Sequence, residues 1–327
     1  MSKIAFVDFD DADFVTHSGK FHADEVMATA ILLVIRERVL NGEISDVDLP
    51  EVLRDKFKGE PIRLCRISVI TSNVGNKMVY DVGGGEFDHH QKDRNGMREN
   101  GIYYAAVGLI WRAFGKLLCD GSEELWQAID EQLIQAIDCG DNGQFPVIEN
   151  NLPILNFDEL IGNFNPRWNE DLGMDFQNAR FAEAVDFAQG IFERILRKEK
   201  ANLAAVPVVE AAVANSEDGI IVFDKYVAWE DVLLKMSEKD ERAKNVLLAI
   251  FPSNRDAGAY IIQSPRENNK SRMYLPEAWR GKKGDDLNDL VEGGTFCHAT
   301  GFMAVADNLE HAISMAKIAV SDFRKQA

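Results

Sequence analysis

The chain has few cysteines, few long apolar runs and little positive charge, and each shortage narrows what it can be. Its four cysteines, Cys65, Cys119, Cys139 and Cys297, are widely spaced with no CxxC pair, which points to reduced thiols and a cytoplasmic location. The longest apolar run inside a helical pattern, Val26 to Ile35, is interrupted by Thr29 and bounded by Glu25 and Arg36. That is too short to span a bilayer, so no membrane partner is expected. Acids stand in MSKIAFVDFDDADF where the apolar core of a secretory signal would be, so none is expected. A net charge of -18 argues against a generally basic face that coats nucleic acid. It leaves room for an enzyme whose bound metal ions supply positive charge locally. GxSxG elbows, P-loops, dinucleotide fingerprints, repeats and low-complexity tracts are all missing.

What is present concentrates in two stretches. The first, Val79 to Gln91 (VYDVGGGEFDHHQ), runs apolar into Asp81, turns through Gly83, Gly84 and Gly85, and delivers Asp88, His89 and His90 side by side. Consecutive ionisable side chains need water or cations, and the glycines open backbone conformations closed to other residues. The second, upstream, is Thr16 to Glu25 (THSGKFHADE). Of six histidines in the chain, four (His17, His22, His89, His90) fall in these stretches, a bias that a polar surface loop does not account for.

At 327 residues the chain exceeds one typical core, so two domains are expected. Phe14 to Thr16 reads as the end of a strand, His17 to Asp24 as a ligand-rich loop, and Glu25 to about Leu40 as a buried helix stopping at Asn41-Gly42. Strand, loop and buried helix form the first half of a parallel βαβ unit, whose ligands gather at the carboxyl ends of strands. Pro61 to Ile70 and Lys77 to Val82 supply further strands. Tyr103 to Leu118 and Glu123 to Ile137 read as helices, the second running into Asp138-Cys139-Gly140-Asp141-Asn142-Gly143. Residues 146–173 read as a connecting segment, and Phe176 to Ala201 as a long helix that could space two domains. Beyond it, strands at Gly219 to Phe223, Val246 to Phe251 and Gly258 to Gln263 and helices at Trp229 to Met236, from Asp285, and Asn308 to Lys325 describe a small α+β domain. Between Arg255 and Lys283 seven basic residues face three acids, a local balance of +4 in an acidic chain.

The metal-competent candidates are His17, His22, Asp24, Asp81, Asp88, His89, His90, Asp138 and Asp141. Imidazole and carboxylate without thiolate suit a borderline-hard divalent ion such as Mn2+, with Mg2+, Co2+ or Zn2+ as substitutes. So many donors exceed the needs of one ion. Two ions about 3.5 to 4 Å apart require a bridging carboxylate and serve phosphoester hydrolysis by holding both attacking and leaving oxygens.

HSGKFHADE, YDVGG, FDHHQ and the Asp138 to Gly143 segment resemble, in order, the four motifs of the DHH phosphoesterase superfamily. More closely, THSGKFHADEVMA, DVGGGEFDHHQ, DCGDNG, NFNPRW, LPEAWRG and FCHATGF resemble the melanocyte-proliferating-gene-one (MYG-type) family of metal-dependent hydrolases, a eukaryotic member of which is a 3'-5' RNA exonuclease. The resemblance spans nearly the whole chain. It implies an α/β fold with an N-terminal parallel-sheet DHH-type domain (1–170) holding two metals, a linking helix (171–205), and a smaller C-terminal α+β domain (206–327) closing over the cleft. It further implies that His17, His22 and Asp81 bind one metal, and that Asp24, His89 and either Asp138 or Asp141 bind the second, with Asp81 bridging. His90 would face the scissile phosphate and Asp88 would orient a ligand histidine. The chain departs from the wider superfamily at His22, where aspartate is usual at a spacing one residue shorter. His298 of GGTFCHATGF and Arg280 of LPEAWRG would bind substrate phosphate.

The expected function is phosphodiester hydrolysis on short single-stranded RNA from the 3' end. The alternatives are a phosphatase or phosphodiesterase acting on a small nucleotide or other phosphorylated metabolite, and a metal-binding scaffold without turnover. The sequence leaves the oligomeric state open, a homo-oligomer included.

Overall fold

In a computed structural model of the chain, residues 3–57, 61–92, 95–145, 155–268 and 270–326 are described. Positions 146–154 of the connecting segment lie outside them. The chain divides into two compact units, Met1–Glu199 and Lys200–Ala327.

The first unit is built on a four-stranded parallel sheet. Strands β1 (Ile4–Phe6), β2 (Phe14–His17), β3 (Ile62–Ile67) and β4 (Met78–Val79) lie in the order β1-β3-β2-β4. β2, β3 and β4 fall on the stretches expected to be strands; β1 was not anticipated, being three residues at the start of an acid-rich segment. Between β2 and β3 the helix α1 (Ala23–Leu40) is buried on every face from Ala23 to Arg36. A helix apolar all round belongs in a core, and α1 packs chiefly against the first, third and fourth of the four helices that follow. These are α2 (Ala106–Phe114), α3 (Glu123–Ile129), α4 (Gln135–Asp141) and α5 (Phe157–Gly162).

The stretch from Glu123 into Asp138, expected to be one helix, contains a π-helical turn over Asp130–Ile134. Its cause lies in a buried arginine. Arg98 forks onto Asp130, donating from Nε and Nη2 at 3.1 and 2.8 Å, and Gln135 Nε2 donates to the same carboxylate at 2.8 Å. The widened turn carries Asp130 in the buried position where Arg98 meets it, and such turns concentrate where a helix is bent to a task.

Helix α6 (Met174–Ala214) is longer than the pattern predicts and continues through Pro207. An interior proline forfeits a backbone hydrogen bond and ordinarily ends a helix. Here the turns around it bury Ala205, Val209 and Val213 in the core of the second unit, which offsets the loss.

The second unit carries a five-stranded sheet in the order β10-β11-β7-β6-β5, antiparallel except for the β5–β6 pair. In chain order its elements are β5 (Ile220–Val222), α7 (Trp229–Ser237), α8 (Glu241–Lys244), β6 (Leu248–Pro252), β7 (Tyr260–Gln263), the small ribbon β8 (Arg266–Glu267) and β9 (Lys270–Ser271), α9 (Asp285–Asn288), β10 (Gly294–Cys297), β11 (Met303–Ala306) and α10 (Leu309–Gln326). Alternation along β6 shows both faces covered. Leu248 and Ile250 enter the cluster with Ala312, Met315 and Ala319 of α10, whereas Ala249 and Phe251 enter the one with Val209, Trp229 and Leu233. The segment GGTFCHATGF forms β10 followed by a turn at 298–302, and β11, which the sequence pattern did not indicate, returns antiparallel from it.

Ile31, fully buried at the middle of α1, makes this packing testable. Ile31→Ala is expected to destabilise the first unit by about 2 to 5 kcal/mol in urea denaturation followed by circular dichroism. A loss under about 1 kcal/mol would mean that α1 is not the core element described.

Candidate metal centre

The donors arrive from separate elements and meet beyond the carboxyl ends of the strands. His17 is the last residue of β2, and Asp81 lies two residues past β4. Asp24 and Glu25 occupy the first turn of α1, Asp141 ends α4, and His89 and His90 follow the triglycine turn. Asp81 takes the left-handed conformation (φ 59°), which a non-glycine residue holds only when its surroundings fix it. They do so here: Asp81 N donates to Phe87 O at 2.9 Å, and Tyr80 pairs with Phe87. Gly83 (φ 88°) then passes so close to Ile70 that a Cβ would lie 2.8 Å from Ile70 Cδ1. Glycine there meets both a backbone and a space requirement.

Three sets of donor atoms result, each within 4.8 Å: Asp81, His89 and His90; His17, Glu25 and Asp81; and His22, Asp24 and Asp141. His89 Nε2 lies 3.2 Å from Asp141 Oδ2, 3.3 Å from Asp81 Oδ1 and 3.7 Å from Asp24 Oδ2. His17 Nδ1 lies 3.3 Å from Glu25 Oε1 and 3.6 Å from Asp81 Oδ2. Asp81 thus belongs to two sets. His22 is grouped with Asp24 and Asp141, not with Asp81 as the resemblance implied, although its ring stacks 5.7 Å from that of His17.

The electrostatics of the cluster favour cations. Burial, with Asp24 adding to it, pushes the Asp81 carboxyl well above the usual range, and the same two causes act on Glu25. Asp141 is pushed up to about 8 by burial and then by Asp24. His17 is held down at about 4 by burial, with His22 and Arg66 adding, so its imidazole is neutral and free to ligate. The buried oxygens Asp24 Oδ1 and Asp81 Oδ1 receive no hydrogen bond. Mixed imidazole and carboxyl donors with buried oxygens that lack hydrogen bonds fit divalent ions of the Mn2+ type.

His90 differs from its neighbour. Its side chain is 60% exposed, and its Nδ1 lies 2.8 Å from Asp88 Oδ1, which also accepts from His90 N at 3.0 Å. Asp88 Oδ2 accepts from Gly84 N at 2.6 Å. Burial would raise Asp88, but these hydrogen bonds outweigh it and hold the carboxyl at about 2. The hydrogen bond that His90 Nδ1 donates to Asp88 lifts His90 to about 9 against the opposing effect of burial. Asp88 therefore orients an exposed imidazolium at His90; it does not bond to His89.

Asp138 and Asp141, which sequence alone leaves as equals, have different surroundings. Asp138 is fully buried, and its Oδ1 accepts from Ala105 N at 2.9 Å and Gly108 N at 3.1 Å, buried donors of the first turn of α2 that lack an intrahelical acceptor. Ala105 has no side chain to cap that helix, so Asp138 caps it from another element. Gly108 is required because the Asp138 carboxylate occupies the space a Cβ would need. The second oxygen pairs with Arg98 Nη1. Asp138 stands outside all three donor sets and Asp141 within one.

His298 and Arg280 belong to the second unit. His298 Nδ1 accepts from Thr300 N at 3.2 Å, which leaves Nε2 as the N–H donor of a half-buried side chain. Arg280 Nε donates to Leu275 O at 2.9 Å, and Gly301 (φ 74°) lies so near the Arg280 side chain that a Cβ would come within 2.7 Å of Nε. The turn that carries His298 therefore rests on Arg280. Two other arginines of the basic segment serve the fold: Arg272 donates to the carbonyls of Ala243, Lys244 and Val246, and Arg266 pairs with Glu230.

The model of the MYG1_exonuc family (Uncharacterised protein family, UPF0160) matches residues 13–320. The chain belongs to this family. It is 27% identical to the MYG1 protein of Dictyostelium discoideum over 94% of this chain and 95% of that one. It is 28% identical to the MYG1 protein of Saccharomyces cerevisiae (94% and 95%) and to the MYG1 exonuclease of Rattus norvegicus (92% and 83%). Among solved structures, RecJ of Thermus thermophilus in complex with Mn2+ aligns with 98% of this chain and 54% of its own, at a TM-score of 0.28 and 10% identity. That alignment is too distant to bear on the site.

Two carboxylates near the cluster escaped the sequence reading. Glu25 accepts from His22 N at 2.9 Å, closing a capping box on α1 while facing His17. Its position three residues after His22 was the available signal. Asp158, on α5, has a buried Oδ2 without a hydrogen bond, and burial followed by Asp24 raises it to about 6. Nothing near it in the sequence marks it.

The two aspartates are separable by experiment. Asp138→Ala uncaps α2 and leaves Arg98 Nη1 unpaired, although Asp130 still holds the rest of the guanidinium, so a stability loss of about 1 to 3 kcal/mol is expected in urea melts of the metal-free protein. Asp141→Asn removes a repulsive charge and is expected to leave that stability equal or higher, while lowering Mn2+ affinity at least about tenfold in calorimetric titration. Undiminished Mn2+ affinity in Asp141→Asn would exclude it as a ligand.

Proposed function

We propose that the chain removes nucleotides from the 3' end of short single-stranded RNA, using two divalent ions, Mn2+ by preference. The coarser part stands on its own: the chain is a metal-dependent hydrolase of a family with members named exonucleases, and its expected substrate is a nucleic acid. No helix among the described residues is long and apolar enough to cross a membrane.

The observation that carries the reading is Asp81, a single buried carboxylate shared by two donor sets. In this assignment His17, Glu25 and Asp81 would hold one ion, and His22, Asp24, His89 and Asp141 would hold the other, with Asp81 Oδ1 3.3 Å from His89 and so within reach of both sets. Bound there, the ions would supply positive charge to the attacking and leaving oxygens of a phosphodiester. The protein's own part is positional. His90, anchored by Asp88 and charged, donates a hydrogen bond to a phosphate oxygen as negative charge builds on it. His298 donates from Nε2 to a phosphate of the substrate, and Arg280 fixes the turn that presents it.

The test uses the intact chain with Mn2+ and short RNA labelled at either end. Stepwise shortening from the 3' end supports the reading; release from the 5' end reverses its polarity, and cleavage only of small nucleotides selects the metabolite alternative. Hydrolysis of neither would leave a metal-binding scaffold.

Two variants test the roles. Asp81→Ala is expected to abolish activity and lower metal content from about two per chain toward none, whereas His90→Ala keeps its metals and loses turnover. Loss of metal in His90→Ala with retention in Asp81→Ala would show the roles to be wrongly assigned. His298→Ala is expected to lower kcat/KM by roughly one to two orders of magnitude, since a hydrogen bond to a charged group contributes about 1.5 to 3 kcal/mol, with metal content unaltered.

A further inference from the structure

The motif Asn163-Phe164-Asn165-Pro166-Arg167-Trp168 takes no part in the metal centre, yet it is fastened to it. Asn165 clamps the backbone of Phe21 from both sides: Phe21 N donates to Asn165 Oδ1 at 2.9 Å and Asn165 Nδ2 donates to Phe21 O at 2.8 Å. Phe21 is fully buried in the loop between His17 and His22. Beside this clamp lies a pocket of about 470 Å3 whose walls include Gly19, Lys20, Asn163, Arg167 and Gln177. Lys20 is close enough for its charge to act on His22, and both Lys20 and Arg167 are exposed. Among the described residues neither side chain is paired with an acid, in a chain where acids outnumber bases 54 to 36. Next to Arg167 stands Trp168, 91% exposed, the most exposed of the large apolar side chains described.

An indole left in water costs solvation that folding ordinarily avoids, and a tryptophan that directly follows an arginine of the pocket wall offers what a nucleotide would use: a flat face for the base next to positive charge for its phosphate. We propose that this pocket is a nucleotide subsite next to the metal centre, in which Lys20 and Arg167 take a backbone phosphate and Trp168 stacks on the attached base. The assignment rests on the reading of the chain as a nuclease. It gives the NPRW segment its purpose: Asn165 is a positioning residue that holds the stacking platform and the His17–His22 loop in one register.

The test moves a single abasic residue along a short RNA and measures kcat/KM for the intact Mn2+-loaded protein and for Trp168→Ala. In the unaltered protein one abasic position near the cleaved end should lower kcat/KM by roughly five- to hundredfold, the range of one lost base stack. Trp168→Ala should show the same loss with intact RNA and no further loss at that position, and Trp168→Phe should recover part of it. Lys20→Ala with Arg167→Ala should flatten the salt dependence of binding. Additive losses at every abasic position would overturn the subsite while leaving the nuclease reading in place. Absence of any RNA cleavage would instead remove the nuclease reading. The subsite then stands or falls on adenosine monophosphate alone: saturable quenching of tryptophan fluorescence that disappears in Trp168→Ala supports it, and no quenching in the unaltered protein overturns it.

Discussion

Four carboxylates, Asp24, Glu25, Asp81 and Asp141, are gathered in a site where only the last has more than slight exposure, and this crowding is the constraint from which the rest of the first unit follows. Like charges in a low-dielectric site cannot all stay ionised without compensation. Protons are one remedy, and the raised proton affinities of Asp81, Glu25 and Asp141 show the cluster taking it. Divalent ions are the other, and they return the oxygens to use as ligands. A fold that needed only stability would replace such a cluster with apolar groups of similar volume.

Holding the cluster requires stiffness around it. α1 is buried on all sides, so Asp24 and Glu25 in its first turn are placed by a helix with no freedom to tilt. Asp81 sits in a left-handed conformation pinned by the Phe87 carbonyl. The loop between His17 and His22 is held twice: by Arg66, which donates to Gly19 O at 2.9 Å and lies over the rings of Phe21 and Phe181, and by Asn165. Asp138 secures the start of α2, whose Ala106 N in turn donates to Asp24 at 3.2 Å. Each tether ends on an element that carries a donor, so rigidity is concentrated where ligand geometry must be kept within fractions of an ångström.

The parts of this arrangement that are local in sequence were legible there. His17, His22, Asp81, His89 and His90 could be found because each follows an apolar run or a glycine turn and lies among others of its kind. The parallel sheet, the buried α1 and the long helix followed from periodicity. What stayed hidden depends on contacts between distant positions. Nothing adjacent to Asp138 reveals that Ala105 lacks a cap or that Arg98 waits opposite. Asp158 reaches the site only because α5 folds back beside α4, and the π turn at Asp130 answers to an arginine some thirty residues earlier. Short strands such as β1 and β11 are specified by their partners, not by their own few residues.

The charge of the chain bears on how a nuclease of this kind would work. At -18 the protein as a whole repels a polyanion, so long-range steering and sliding along a strand are disfavoured. Attraction has to come from short-range features: ions in the carboxylate cluster, the His90 imidazolium, and the uncommitted Lys20 and Arg167. Within the basic segment of the second unit, Arg266, Arg272 and Arg280 are occupied with carbonyls and an acid of their own fold, which narrows the cationic surface it can offer. A protein so charged grips a few nucleotides near a reactive centre and holds little of the strand beyond them. That favours attack at the ends of short strands over cleavage within long ones, and it makes affinity for nucleic acid depend on the metals themselves, since without them the site is a cluster of carboxylates that repels phosphate.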